Sequence, residues 1–143
     1  MPDCVFCSIV SGESPAHIVF EDDISIGFLD TRPLFPGHVL LVPRIHVPTL
    51  PDLPSDQVAN LFANVQMLSK AVPLALEAEG SFVAINNKVS QSVPHLHVHV
   101  APRNRKDGLR GFFWPRNGYE SEEHAIAVRD RLIEVINHVT AQG

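Results

Sequence analysis

The stretch PHLHVHVAPR, residues 94–103, sets His95, His97 and His99 at strict two-residue spacing. Side chains alternate across a strand, so the three imidazoles share one face and Leu96, Val98 and Val100 share the other. Same-face neighbours on a strand stand about 6.5–7 Å apart. Three of the chain's eight histidines therefore line up over an apolar backing. Imidazole binds metals, moves protons near neutral pH, or attacks phosphorus as a nucleophile. A single flat strand holds its side chains nearly parallel, which disfavours closure of all three on one ion.

Working outward, HLHVHVAP (95–102) and SFVAIN (81–86) predict neighbouring strands, with Gly80 closing the segment before them. Upstream, Val58, Leu61, Phe62, Val65, Leu68 and Val72 recur at spacings of three and four. They predict one face of a helix that Ser55 caps and that Pro73 kinks or ends. HIVFE (17–21) and ISIGFLD (24–30) predict a hairpin across Asp22-Asp23, and HVLLVP (38–43) a further strand after the TRPLFPG loop. Residues 4–11 predict a short helix that GESP breaks. Ser121 predicts the cap of a last helix over about 121–140, with Ala125, Val128, Leu132, Val135, Ile136 and Val139 as its apolar stripe. The order predicts an α+β fold: a mostly antiparallel five-stranded sheet with one long helix and a C-terminal helix. At 143 residues the expectation is one domain, its core over about 4–102 and a basic, aromatic insertion over 103–119.

A composition of 45% hydrophobic and 19% charged residues is that of a globular chain. No apolar run reaches the roughly 18 residues of a membrane span, and MPDCVFCSIV lacks the pattern of a signal peptide. The expectation is a cytoplasmic protein without membrane attachment. A net charge of −5 argues against stable nucleic-acid binding. The charge is uneven: Arg103, Arg105, Lys106, Arg110 and Arg116 face Asp107 alone, a local balance of +4. That loop suits a small anion, or is simply solvated. Cys4 and Cys7, in CVFC, are the only cysteines. A cytosolic C-x-x-C serves metal or redox chemistry, and its place outside a strand-to-helix junction of a βαβ unit favours metal.

HLHVHVA fits the His-φ-His-φ-His-φ-φ signature and resembles the histidine triad family of nucleotide hydrolases and transferases. DTRPLFPGHVLLVP resembles that family's Asp-x-x-Pro-x-x-x-Gly-His strand entry, CVFCSIVSGESPAHIVFEDD its N-terminal segment, and QSVPHLHVHV its Gln-Ser-Val lead into the triad. The likeness runs in one order from about Cys4 to Pro102. It implies that His97 is the nucleophile, attacking the α-phosphorus of a purine nucleotide ester, anhydride or phosphoramidate. A nucleotidyl-histidine forms, and water, or phosphate in a transferase, releases the product. His99 is implied to contact the phosphate oxygens, and His38 to orient the site without reacting. Gln91 and Ser92 are implied to bind phosphate and help the leaving group, with Asn86 a further phosphate-side candidate. Ser90 stands where the family usually has glycine.

The resemblance also implies that Asp30 binds the ribose hydroxyls, an alternative to a turn-forming role. Phe6, Ile9 and Phe28 match the pocket for the base, although each also suits ordinary core. Cys4, Cys7, His46 and His95 match the ligands of a structural zinc in those members that carry one. The three in-phase histidines would then have three jobs: metal ligand, nucleophile and phosphate contact. Family likeness further implies a homodimer. Arg103, Arg105 and Arg110 could hold the extra phosphates of a dinucleoside polyphosphate. Phe112, Phe113 and Trp114 either shape leaving-group choice or pack between sheet and last helix. Two other functions remain open: a nucleotide-binding regulatory protein with little turnover, and a zinc hydrolase whose metal activates water.

Overall fold

The structure is a computed structural model that describes residues 3–110 and 116–142. Contacts divide the chain into two compact units, one up to Leu109 and one from Arg110. Within the first unit run α1 (Val5–Val10), β1 (Ile18–Glu21), β2 (Ser25–Leu29), β3 (Val39–Pro43), a single 3-10 turn (Leu50–Asp52), α2 (Ser55–Leu76), β4 (Gly80–Ile85) and β5 (Val98–Arg103). The five strands form one antiparallel sheet in the order β1-β2-β3-β5-β4. The expected α+β class and five-stranded antiparallel sheet are therefore present.

The sheet is buried on both faces where it matters. In β3, Val39 and Leu41 point into one core with Leu61, Val65, Leu68 and Val72 of α2 and with Leu96, Val98 and Val100. Leu40 and Val42 point the other way, into a smaller core with Cys4, Phe6, Ile26 and Phe28. A strand covered on both sides needs a continuous apolar run, which is why β3 reads VLLVP and not an alternating pattern. α1 is only six residues long, so its capping counts. Cys4 takes the N-cap position, and its sulfur accepts a hydrogen bond from the Cys7 N–H, the task a serine or aspartate usually performs.

α2 departs from expectation in three places. Pro54, not Ser55, occupies the N-cap. The helix runs through Pro73 to Leu76 and stops where Glu77 turns left-handed at φ 53°. Near a C-terminus the proline disturbs little more than the last turn, and its carbonyl is used by the Ala78 N–H. Val58 and Phe62 are exposed, so the buried stripe is narrower than the sequence pattern. Gly80 opens β4 and does not end the preceding segment.

β5 also starts late. Its ladder begins at Val98, paired with Ile85 and Leu41, and not at His95. The Leu96 N–H leaves the sheet to donate to the Val47 carbonyl at 2.7 Å, and the chain bends at His95. The lead into β5 thus carries His95 and His97 on a segment free of ladder constraints.

In the second unit, α3 (Glu122–Gln142) is capped by the Ser121 hydroxyl, which accepts from the His124 N–H at 3.0 Å. Ala125 and Val128 are half-buried, while Leu132, Val135, Ile136 and Val139 are exposed. Phe112, Phe113 and Trp114 lie outside the described residues. No helix among the described residues is long and apolar enough to cross a membrane.

Candidate active site and metal cluster

The bend ahead of β5 separates the three histidines. The His95 ring is fully buried and turns toward the N-terminal cysteines. Its Nε2–H donates to the Pro43 carbonyl at 2.9 Å, which leaves Nδ1 with a bare lone pair. That lone pair lies 3.4 Å from Cys4 Sγ, 3.5 Å from Cys7 Sγ and 3.2 Å from His46 Nδ1. Cys7 Sγ is 3.3 Å from His46 Nδ1. A tetrahedral zinc ion, with bonds of about 2.3 Å to sulfur and about 2.0–2.1 Å to nitrogen, sets its donors roughly 3.3–3.8 Å apart. These four edges, at 3.2–3.5 Å, come close to that spacing, and all four donor atoms lie within 4.8 Å of one another. Burial lowers the proton affinity of His95, which keeps the imidazole in its ligand form. Burial raises the Cys7 thiol in the absence of a cation, the charge a metal would offset. The four residues fit a closed Cys2His2 zinc site.

His97, 4% exposed, is oriented by its own neighbour. Its Nδ1–H donates to the His95 carbonyl at 2.7 Å, so the lone pair sits on Nε2. The ring stands edge-on to Phe6, with centroids 5.1 Å apart, and to His99 at 5.0 Å. His99, on β5, pairs with His38 just ahead of β3, His38 Nε2 lying 3.0 Å from His99 Nδ1. Burial, followed by the nearby His97 and His38, brings His99 down to about 4. Burial also lowers His38, against a partial upward pull from Asp30. His38 and His99 are thus neutral at physiological pH.

Beside this row lies a cavity of about 500 Å³. Phe6, Ile9, Phe28 and Leu40 make its apolar wall; Asp30 and Ser92 are among its polar lining. Such a size and lining suit a small ligand with one flat apolar part. Asp30 Oδ1 accepts the Arg32 N–H at 2.9 Å, and Oδ2 lies 3.8 Å from His38 Nε2. His17 and Arg32, which no motif marks, line the same cavity. Arg32 was legible as a basic residue two positions after Asp30. His17 was not, because only the β1–β2 pairing, with the Leu29 N–H donating to the His17 carbonyl, brings it there.

Other candidates lie elsewhere. Both ends of the Gln91 amide are held by backbone: its Nε2–H donates to the Pro48 carbonyl and its Oε1 accepts the Lys88 N–H. Gln91 lines a separate depression with Asn87 and Lys88. Asn86 is half-buried directly after β4. In this loop Lys88 and Ser90 adopt left-handed φ of 69° and 61°. Ser90 therefore keeps the conformation that glycine takes more easily.

Two arginines of the basic loop have partners of their own. Arg103 ends β5, four residues beyond His99 and roughly 13 Å along the strand. Its guanidinium is spent on Asp107, at 2.6 and 3.3 Å, and on the Leu109 carbonyl. Arg103 in turn holds the Asp107 carboxyl down at about 2. Arg105 reaches Glu79 at 3.6 Å. These two arginines close a turn at the far end of the strand, away from His97. Arg110 belongs to the second unit.

The HIT domain family model matches residues 11–106, which include the histidine row and Asp30 but not the two cysteines. An adenylylsulfatase of Arabidopsis thaliana is 39% identical over 109 residues, covering 75% of this chain. The match spans 55% of that longer relative. An adenosine 5′-monophosphoramidase of Candida albicans is 33% identical over 118 residues, 78% of either chain. The crystal structure of a Zn-bound histidine triad family protein from Mycobacterium smegmatis is 36% identical and superposes with a TM-score of 0.72, covering 96% of this chain and 98% of that one. The shared sheet, the in-phase histidines and the match over two-thirds of its length place this chain in the HIT-domain family.

Proposed function

We propose that the chain is a nucleotidyl hydrolase or transferase acting on purine nucleotides through a covalent intermediate on His97. The observation that carries this is the orientation of His97. The His95 carbonyl takes its Nδ1 proton, so the nucleophilic Nε2 is bare without help from a base. Phe6, edge-on to His97, also walls the apolar cavity, which puts the nucleophile next to the proposed base pocket. Phe6, Ile9 and Phe28 would hold the purine, and Asp30 would accept from the ribose hydroxyls. In the first step an Nε2–phosphorus bond forms and the bond from phosphorus to the leaving group breaks, the leaving group departing with its electron pair; an amine takes its proton from solvent water, and sulfate needs none. His99 would donate to the phosphate oxygens. In the second step water cleaves the nitrogen–phosphorus bond and releases the nucleoside monophosphate, AMP for an adenylyl substrate.

Cys4, Cys7, His46 and His95 would hold zinc, which supplies a structural tie between the N-terminus and the lead into β5. Four protein donors leave no open position for water, which disfavours the metal-hydroxide reading. The relatives named above differ in leaving group, sulfate in one and an amine in the other, so the substrate class here is the adenylyl group with either. Dinucleoside polyphosphates stay on the list without support from Arg103 or Arg105. Two thiols kept as metal ligands suit a reducing cytoplasm. A homodimer is proposed from family likeness alone.

The test is AMP release from adenosine phosphoramidate, adenylyl sulfate and diadenosine polyphosphates, with wild type beside His97→Ala. Turnover lost in the variant supports the proposal. AMP binding without turnover would make the chain a nucleotide-binding protein. Turnover that survives His97→Ala and vanishes on chelation would make the metal the catalyst.

A further inference from the structure

We infer that the backbone N–H of Leu34 is a positioning group for the site: it fixes the tautomer of His38 and, through His38, that of His99. The consequence for catalysis rests on the proposed function; the geometry does not. The Leu34 N–H donates to His38 Nδ1 at 3.0 Å. A nitrogen that accepts cannot carry a proton, so neutral His38 carries its single proton on Nε2. That proton has two possible takers. Asp30 Oδ2 is 3.8 Å away, beyond hydrogen-bonding range, while His99 Nδ1 is at 3.0 Å. His99 Nδ1 therefore accepts, and the proton of neutral His99 sits on Nε2. His99 is thus a standing donor through Nε2. The reverse assignment would set the Leu34 N–H against a His38 N–H and leave two donors facing each other in a buried site.

The loop is built to hold that amide in place. The Asp30 N–H donates to the His38 carbonyl at 2.9 Å and the His38 N–H to the Phe35 carbonyl at 3.1 Å, so residues 30–38 close on themselves. Gly37 turns the chain at φ +97°, and a Cβ there would meet Leu76 at 2.6 Å. The Leu34 side chain is exposed, so its conservative replacement leaves the device intact. No side chain of the loop needs to change for the tautomer to change; only the amide proton matters.

The experiment is 15N NMR of the imidazole nitrogens in the zinc-loaded full chain, without substrate, for wild type, Leu34→Ala and Leu34→Pro. Proline removes the N–H. Wild type and Leu34→Ala should show His38 and His99 protonated on Nε2 and His97 protonated on Nδ1. Leu34→Pro should lose the single-tautomer signature at His38 and His99. Its kcat on the best adenylyl substrate should fall about tenfold with KM changed less than about twofold. A wild-type His38 protonated on Nδ1 overturns the inference. So does a folded Leu34→Pro variant with wild-type tautomers. If Leu34→Pro fails to fold, wild type still decides through the 15N–15N coupling across the hydrogen bond from the Leu34 amide to His38 Nδ1: its presence is expected and its absence overturns the inference. Expected tautomers in a chain that turns over no nucleotide would sink the functional reading and leave the tautomer assignment standing.

Discussion

The cluster of Cys4, Cys7, His46 and His95 and the cluster of Asp30, His38 and His99 both gather metal-ligand atoms within 4.8 Å of one another. Composition alone would call both metal sites. They differ in which backbone atom meets the ring. At His95 a carbonyl, from Pro43, takes the outer proton, so the lone pair faces inward among soft donors. At His38 an N–H, from Leu34, takes the outer lone pair, so a proton faces inward. The first arrangement receives a cation; the second hands a hydrogen bond onward. His97 lies between His95 and His99 in the chain and follows the carbonyl pattern, which leaves its Nε2 bare, and it belongs to neither cluster. Backbone polarity, more than residue type, divides the labour.

The largest effects should come from removing what each cluster presents. His97→Ala should lower nucleotidyl turnover by roughly 10⁴-fold or more, because the covalent route is lost. Its zinc content, read by atomic absorption, should stay near one per chain. A variant that lost both together would blur the contrast. Conversely, Cys4→Ser with Cys7→Ser should abolish stoichiometric zinc and cost several kcal/mol of stability by denaturant titration. The loss should exceed that of a surface control, because the ion would tie α1 to His95; the capping role of Cys4 is one that serine can keep.

A smaller effect concerns pH and sharpens the contrast at His99. Its folded proton affinity is depressed to about 4 from an ordinary 6.5. The unfolded chain therefore binds the extra proton first as pH falls. The stabilisation is present above about 6.5 and is lost on descent toward 4, with the sign shared by His38 and His95. After allowance for its partial exposure, His99 should contribute on the order of 2 kcal/mol to that loss. Chemical denaturation of the cysteine-free variant between pH 7 and pH 4.5 isolates it from zinc release. Stability that rises on acidification would contradict the neutral assignment.

Gly37→Ala should cost about 1–2 kcal/mol, from the left-handed backbone and the clash with Leu76. It should lower turnover while leaving zinc binding alone, since the Gly37 loop supports only the second cluster. Ser90→Gly should do the least, stabilising by a few tenths to about 1 kcal/mol through relief of a left-handed serine. Thermal unfolding of the two variants checks both.

Much of this was legible in the sequence because it rests on periodicity. The two-residue spacing of Leu96, Val98 and Val100 announced the apolar backing, and α2's stripe announced the helix that covers it. The four residues of the proposed zinc site were legible through family likeness, and their donor atoms lie within 4.8 Å of one another. What was not legible depends on backbone atoms that carry no letter. The Val47 carbonyl draws the Leu96 N–H out of the ladder, so β5 begins three residues late. The Pro43 and His95 carbonyls and the Leu34 N–H decide the tautomers. Arg103 looked free as a letter in a basic loop, yet Asp107, four residues on, claims it. Local composition counts charges but not partners.

The decisive measurement is to trap the intermediate. The chain is mixed with adenosine phosphoramidate, quenched within one turnover under conditions that preserve phosphohistidine, and its peptides are mapped by mass spectrometry. One adenylyl group on His97, absent from His97→Ala, is the predicted result. An adenylyl group on His99 or His38, or steady turnover with no adduct at any time point, would contradict nucleophilic catalysis by His97.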